Sequence, residues 1–238
     1  KMGDPAFVRV PLAQLTDKAY ARRLRATIDS VRATPTPVVE QHMREGTETT
    51  HFSVVDAFGN AVATTTTTNG LYGSGVLVRG GGFFMNNEMD DLAAKPGEPN
   101  QFGLVEGEQN AVAPGKRPLS AMSPTVVLDP AGRLLLVVGS RGGPRIITST
   151  SQVILNVIDQ RMSIADAMAA PRLHHQALPD TLRMEPRGLD RTVIDALNAT
   201  GHRVGVISNV GLVNAIMRVR GGFESVGDPR RPGGIVGY

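Results

Sequence analysis

A hydroxyl residue that opens a hydrophobic strand has the makings of a nucleophile, and Thr49 and Thr50 in the run Glu48-Thr49-Thr50-His51-Phe52-Ser53-Val54-Val55-Asp56 stand in that position. A Thr hydroxyl is too weakly acidic to attack a carbonyl unaided. Its own α-amine, with a reference pKa near ~8, lies close enough to neutrality to take the proton. That chemistry needs a free amine, and 48 residues precede Thr49, so it needs the bond Glu48–Thr49 to be cut after synthesis. The plainer reading of the pair alone is the start of an edge strand.

Four other segments carry chemistry-bearing residues. Gly139-Ser140-Arg141-Gly142-Gly143-Pro144 joins an apolar run to a segment that Pro144 opens as a helix. Two Gly amides at a helix start form an anion pocket suited to the oxyanion of acyl transfer, or to a phosphate. The run has no Lys-Ser/Thr ending and is not a GxGxxG, which weakens phosphate, and a plain strand-to-helix turn remains open. Asn86-Asn87-Glu88-Met89-Asp90-Asp91 places three carboxylates within four residues, able to hold a substrate ammonium or a cation, or to cap a helix. In Lys116-Arg117-Pro118-Leu119-Ser120-Ala121-Met122-Ser123-Pro124, Ser120 can donate to a substrate carboxylate or serve the turn. His174 and His175 are adjacent, face opposite sides of a strand and have no third ligand nearby, so they read as structural and no metal is expected.

The elements that must position these groups follow from periodicity. Residues 16–29 space Ala19, Leu24 and Ile28 as an amphipathic helix, capped by Thr16 or Asp17, and 30–48 mixes Pro35, Pro37 and Gly46 as an exposed linker. From His51 the period becomes two: HFSVVD, the turn Ala57-Phe58-Gly59-Asn60, and AVATTTTT form a hairpin whose Thr66-Thr68 or Thr65-Thr67 face a polar site. Strands are predicted at 74–79, 82–86, 122–129 and 133–139. Pro144 then opens a helix with Ile146, Ile147, Thr150, Val153, Ile154, Val157 and Ile158 on one broad face. A shorter helix follows at 163–170. Short strands (RLHHQ, LRMEP), a helix at 190–199 stopped by Gly201, and strands near 203–207, 212–219 and 223–226 complete the pattern. Strands grouped around paired helices imply sheets packed on each other with helices outside, and no fixed-period repeat appears.

Composition excludes several classes. The 238 residues contain no Cys, which removes disulfides, thiolate catalysis and Cys-based zinc sites. The net charge of +3 is well mixed, and the basic pairs Arg22-Arg23 and Arg230-Arg231 make no stripe, so nucleic acid is not an expected partner. No run approaches the ~20 apolar residues of a membrane span. The start Lys1-Met2-Gly3-Asp4 reads like the middle of a longer protein.

Taken in order, TTHFSVVDAFGNAVA, NNEMDD, AKPGEPNQFGLV, KRPLSAMSPT, GSRGGPRII, APRLHHQ and the closing DPR…GY resemble the γ-glutamyltransferase (γ-glutamyltranspeptidase) family over nearly the whole chain. The resemblance implies an α+β fold, the four-layer αββα sandwich of N-terminal-nucleophile hydrolases, from a precursor that cuts itself at Glu48–Thr49. Residues 1–48 then correspond to the large subunit's C-terminal tail and pre-cleavage linker, and 49–238 to the small catalytic subunit. It implies Thr49 as nucleophile, Thr67 as its support, and Gly142 and Gly143 as the oxyanion pair. Asn69, Glu88, Asp91 and Ser120 become substrate-binding residues. Ala121 stands where the family pattern has a second serine, which removes one side-chain hydrogen bond, worth about 0.5–1.5 kcal/mol. Residues 95–112 resemble a lid loop, with Phe102 in place of a gating aromatic that is often Tyr, so a gate hydrogen bond to Asn69 is missing. Asp91 favours a γ-glutamyl donor with a free α-amine over the substrates of related cephalosporin and glutaryl acylases. The implied partners are the large subunit, glutathione or another γ-glutamyl amide, and water or an amino acid or peptide acceptor. No cofactor is implied, and a periplasmic or secreted location is. The alternatives are an acylase of the same fold and an uncleaved, non-catalytic precursor or fragment.

Overall fold

The computed structural model describes residues 2–36, 49–231 and 233–237. Glu48 and most of the expected linker lie outside the described residues. In chain order the elements are α1 (Leu12–Leu15), α2 (Lys18–Ala26), β1 (Thr49–Val55), β2 (Ala61–Thr67), β3 (Thr125–Leu128), β4 (Leu134–Arg141), α3 (Arg145–Ile158), α4 (Ile164–Ala169), β5 (Leu173–His174), β6 (Leu182–Met184), α5 (Arg191–Ala199), β7 (Val204–Val206), β8 (Leu212–Val219) and β9 (Gly222–Ser225).

The alternation read from His51 onward produces an antiparallel hairpin in which Thr49 pairs with Thr67 and His51 with Thr65. Its odd positions turn inward: Thr49 and His51 are buried, while Thr50, Phe52 and Val54 are exposed. The Asp56 carboxylate organises the turn, accepting from the Phe58 and Asn60 amides at 2.9 and 2.8 Å. Gly59 supplies the left-handed φ of +85° that the turn requires.

The inward face of the hairpin packs on β4 of a four-stranded sheet ordered β3-β4-β8-β9. Close approach depends on Gly139, because a Cβ there would collide with the His51 ring. The other side of that sheet is covered by α3 and α4. Leu136, Val138, Val153, Ile164, Met168 and Val213 are fully buried between sheet and helices. Each such side chain contributes about 1.5–3 kcal/mol by leaving water. Ile147 and Ile158, expected on the buried stripe of α3, are half-exposed at 51% and 45% because the sheet covers a narrower arc than the apolar face. A second sheet, β5-β6-β7, meets α3 through β5. The chain is thus α+β, with hairpin, sheet and helices as successive layers.

Two expected strands differ. Residues 74–79 and 82–86 meet at the bridge Leu77–Phe84 and through backbone bonds such as Met85 N–H to the Val76 carbonyl at 2.9 Å, but they form no regular strands, because Gly73, Gly75, Gly80 and Gly82 all take positive φ and break the ladder. The helix expected over 16–29 shortens to α2, capped by Asp17, whose carboxylate accepts from the Ala19 amide at 2.8 Å. The Arg230 half of the Arg230-Arg231 pair is not a surface charge: its guanidinium binds Glu185, and Arg172, 1% exposed, binds Asp228 at 3.0 Å. These ion pairs fasten the closing DPR run under the core.

Candidate active site

The hairpin places Thr49 at its inner edge, 5% exposed, where its Oγ donates to the Thr67 Oγ at 3.2 Å. Thr67 also accepts from the Asn69 amide at 2.9 Å. Its hydroxyl oxygen therefore sits between the strand start and the residue that leaves β2. Of the two Thr pairs weighed for the polar face, Thr65 and Thr67 are the ones turned inward. Thr65 Oγ lies 2.7 Å from His51 Nδ1, and burial pushes the imidazole's pKa down to about 4, so His51 is neutral and structural.

Asn69 is buried with φ +70°, a left-handed conformation that Asn tolerates better than most side chains. Its Nδ2 donates to the Asn87 carbonyl at 3.2 Å, and Asn87 Oδ1 accepts from the Gly70 amide at 2.7 Å. This pairing brings the acidic segment alongside the end of β2. There Glu88–Asp91 forms a 3-10 turn. The Asp91 carboxyl is pushed up to about 7, first by burial and then by the charges of Glu88, Asp90 and Glu106. Burial also raises Glu88, whose Oε1 is enclosed and has no partner among the described residues. An Asp91 carboxyl held this far above its ordinary range is short of a cation, and a substrate ammonium would relieve it.

The glycine turn lies across from these acids. Gly142 and Gly143 take φ of +131° and +58°, which turns the chain sharply from β4 into α3. Among the described residues neither amide donates to a main-chain carbonyl. Both precede a 14-residue helix, at the end whose amides attract negative charge. The Phe102 ring closes over this turn, since a Cβ on Gly143 would meet it at 3.3 Å.

One cavity of about 240 Å3 unites most of the expected residues: Thr49, Thr67, Asn69, Asp91, Phe102, Ser120, Ala121 and Gly143 line it. Gly142, next to Gly143, and Glu88, at the start of the turn that ends in Asp91, stand outside that lining. Ser120 Oγ accepts from the Met122 amide at 3.1 Å, which fixes the oxygen and leaves its O–H free to donate. Glu48 lies outside the described residues. Among the described residues no cluster of three or more His, Asp or Glu could hold a metal ion.

Sequence reasoning missed Glu106 and Asn110. Glu106 lines the cavity and binds the Asn110 carboxamide. Asn110, 1% exposed, also donates to the Asp91 carbonyl at 2.7 Å and accepts from the Leu119 amide at 3.3 Å. One buried amide therefore sets the spacing between the acidic turn and the Ser120 segment. No local pattern marks it, because the two segments it joins, at Asp91 and Leu119, lie 19 and 9 positions away. Met2 also reaches the cavity. Its segment is anchored by Asp4, which accepts from the Arg117 backbone amide and from its Nε and Nη2 at 2.9, 3.0 and 2.7 Å.

A protein-family model, Gamma-glutamyltranspeptidase, matches residues 1–238. The chain is 46% identical over 233 residues to the glutathione hydrolase proenzyme of Escherichia coli strain K12, covering 96% of this chain and 40% of that protein. The chain thus spans about two-fifths of the length of that relative. It is 39% identical over 201 residues to the acylase ACY 1 proenzyme of Pseudomonas sp. strain SE83, covering 84% of this chain and 33% of that one. A crystal structure of the T380A mutant of Helicobacter pylori gamma-glutamyltranspeptidase superposes with a TM-score of 0.73 at 50% identity, covering 76% of this chain and all of that one.

Proposed function

The chain belongs to the gamma-glutamyltranspeptidase family, and on that premise we propose that it carries the catalytic half of an enzyme that cleaves γ-glutamyl amides such as glutathione through a Thr49 ester. The observation that carries this reading is the shared cavity: a buried Thr49 hydroxyl on Thr67, the Gly143 turn, and an elevated Asp91 carboxyl line the same space. Before any turnover, the Glu48–Thr49 bond is cut. This separates a large subunit ending at residue 48 from a small subunit beginning at Thr49 and exposes the α-amine. The large subunit packs on the exposed Phe52 and Val54 face of the hairpin and completes the fourth layer.

Catalysis proceeds in two halves. The Thr49 α-amine takes the hydroxyl proton, Oγ attacks the γ-carbonyl, and the Gly142 and Gly143 amides receive the oxyanion. Collapse expels the donor's amine with that proton and leaves the γ-glutamyl ester on Thr49. Water or an acceptor amine then adds to the ester and frees Thr49, giving glutamate or a new γ-glutamyl amide. Asp91 and Glu88 pair with the donor's ammonium, Asn69 with its polar end, and Ser120 with its α-carboxylate, where Ala121 gives no hydroxyl. An exported location belongs to the same proposal and rests on the family likeness alone.

Replacing Thr49 by Ala in the full precursor is the decisive test. The expected result is an intact precursor by mass spectrometry and no nitroaniline released from γ-glutamyl-p-nitroanilide. Cleavage at residue 49 together with retained turnover in Thr49→Ala would overturn the proposal.

The likeness to an acylase favours a second reading, in which a glutaryl amide is the donor. Asp91 argues against it, because burying a carboxylate beside an amine-free chain gains nothing.

A further inference from the structure

The loop over the cavity is fastened from outside it. The Phe102 carbonyl accepts from Gln176 Nε2 at 2.9 Å, a contact between residues 74 positions apart. Gln176 Oε1 lies 2.8 Å from His174 Nε2, and His174 Nδ1 lies 2.9 Å from the Thr148 Oγ, one turn into α3. From the Phe102 carbonyl to the His174 ring the polarity is fixed. A carbonyl can only accept, so the Gln176 amide nitrogen must face Phe102 and its oxygen must face His174. His174 Nε2 then carries the proton, and Nδ1 of the neutral ring faces the Thr148 hydroxyl, which also has the Arg145 carbonyl within reach at 3.1 Å. Burial, the main influence on His174, favours that neutral form.

The strand that carries the ring is also held to α3. Gln152, also on α3, grips the neighbouring Leu173 backbone, donating to its carbonyl at 2.7 Å and accepting from its amide at 2.9 Å. The loop tip itself is a tight local turn: Asn100 Oδ1 accepts from the Phe102 and Leu104 amides at 3.0 Å each. The helix that begins at the Gly142–Gly143 turn therefore also orients, through Thr148, His174 and Gln176, the carbonyl of the residue whose ring covers that turn.

We propose that Gln176 is a positioning residue that latches the Phe102 loop over the Gly143 turn and thereby sets how long the acyl site stays closed to water and acceptor. The relay itself is independent of the substrate, whereas its effect on partition rests on the γ-glutamyl transfer reading above.

The test uses the full processed enzyme with Gln176→Leu, which removes the donor, and Gln176→Glu, which keeps the shape but sets an oxygen against the Phe102 carbonyl. Hydrogen–deuterium exchange is followed over residues 98–107 and, as a control, 134–141. Both variants are expected to speed exchange over 98–107 about two- to tenfold, the loss of one neutral hydrogen bond, with 134–141 unchanged. The donor KM should rise by a similar factor while kcat for the nitroanilide moves less than twofold, and the ratio of hydrolysis to transfer should shift. Unchanged exchange over 98–107 in Gln176→Glu, an equal rise in both segments, or an unaltered product ratio despite faster loop exchange would each overturn the latch. If the parent enzyme released no nitroaniline, the transfer reading would fail, while the exchange data would still decide whether the loop is latched.

Discussion

Replacing Asp91 by Asn tests the assignment of the ammonium partner, because the carboxyl has an unusual starting state. Its pKa is raised to about 7 by burial and by Glu88, Asp90 and Glu106. It is therefore mostly neutral at pH 6 and mostly charged at pH 8. An ammonium donor pairs only with the charged form, so selectivity for the amine should be present above about pH 7 and lost as pH falls below it. A hydrogen bond between charged groups contributes about 1.5–3 kcal/mol, or about 10- to 150-fold in kcat/KM. The assay compares γ-glutamyl with glutaryl p-nitroanilide from pH 5 to 8. Titration of the Thr49 amine is common to both donors and cancels in their ratio. In the parent enzyme the ratio should climb about tenfold per pH unit below 7 and then level off. In Asp91→Asn it should be lower by the factor above and flat with pH. Stability carries the opposite sign. The raised folded pKa stabilises the donor-free enzyme fully below about 3.8 and loses that contribution as pH rises through about 7. Asp91→Asn should thus resist urea better than the parent at pH 8, with the gap closing toward pH 5. An Asp91→Asn enzyme that kept the parent's ratio and its pH dependence would show that the ammonium binds elsewhere.

Three further substitutions probe the frame. Thr67→Val removes the acceptor for both Thr49 Oγ and the Asn69 amide, and kcat should drop by roughly tenfold, on the order of one to two neutral hydrogen bonds, with processing slowed on a gel time course. Gly143→Ala forces a side chain into φ +58° at 3.3 Å from Phe102, costing about 1–2 kcal/mol in left-handed strain, and should lower kcat more than it raises KM. Gly139→Ala drives a methyl into the His51 ring and should lower the stability measured by urea unfolding by about 1–3 kcal/mol of overpacking while processing is impaired.

Much of the frame was legible in the sequence because its signals are local. The period-two run after His51, Gly59 in its turn, and Pro144 ahead of a helical stripe each specify geometry within a few residues, and β1, β2, β4, β8 and α3 formed where these signals placed them. The strands expected at 74–79 and 82–86 do not form as regular strands, because alternating apolar residues count for little when glycines around them take positive φ. The residues themselves offered Thr49, Asp91, Ser120 and Gly143 as candidates, the resemblance added Asn69, and all five line the cavity.

What the amino-acid order determined by itself is which atoms are available: a Thr opening a strand, two glycines opening a helix, and acids after a turn. Tertiary structure decided which of them meet and in what charge state. The Asp91 carboxyl is pushed up to about 7 because packing takes it out of water and holds it among the charges of Glu88, Asp90 and, from the loop above, Glu106. Asn110 and Gln176 look like ordinary surface amides until folding carries their partners to them across 19 and 74 positions. Hydrogen bonds and desolvation act through space over a few ångströms, so such contacts exist only once the chain has closed on itself.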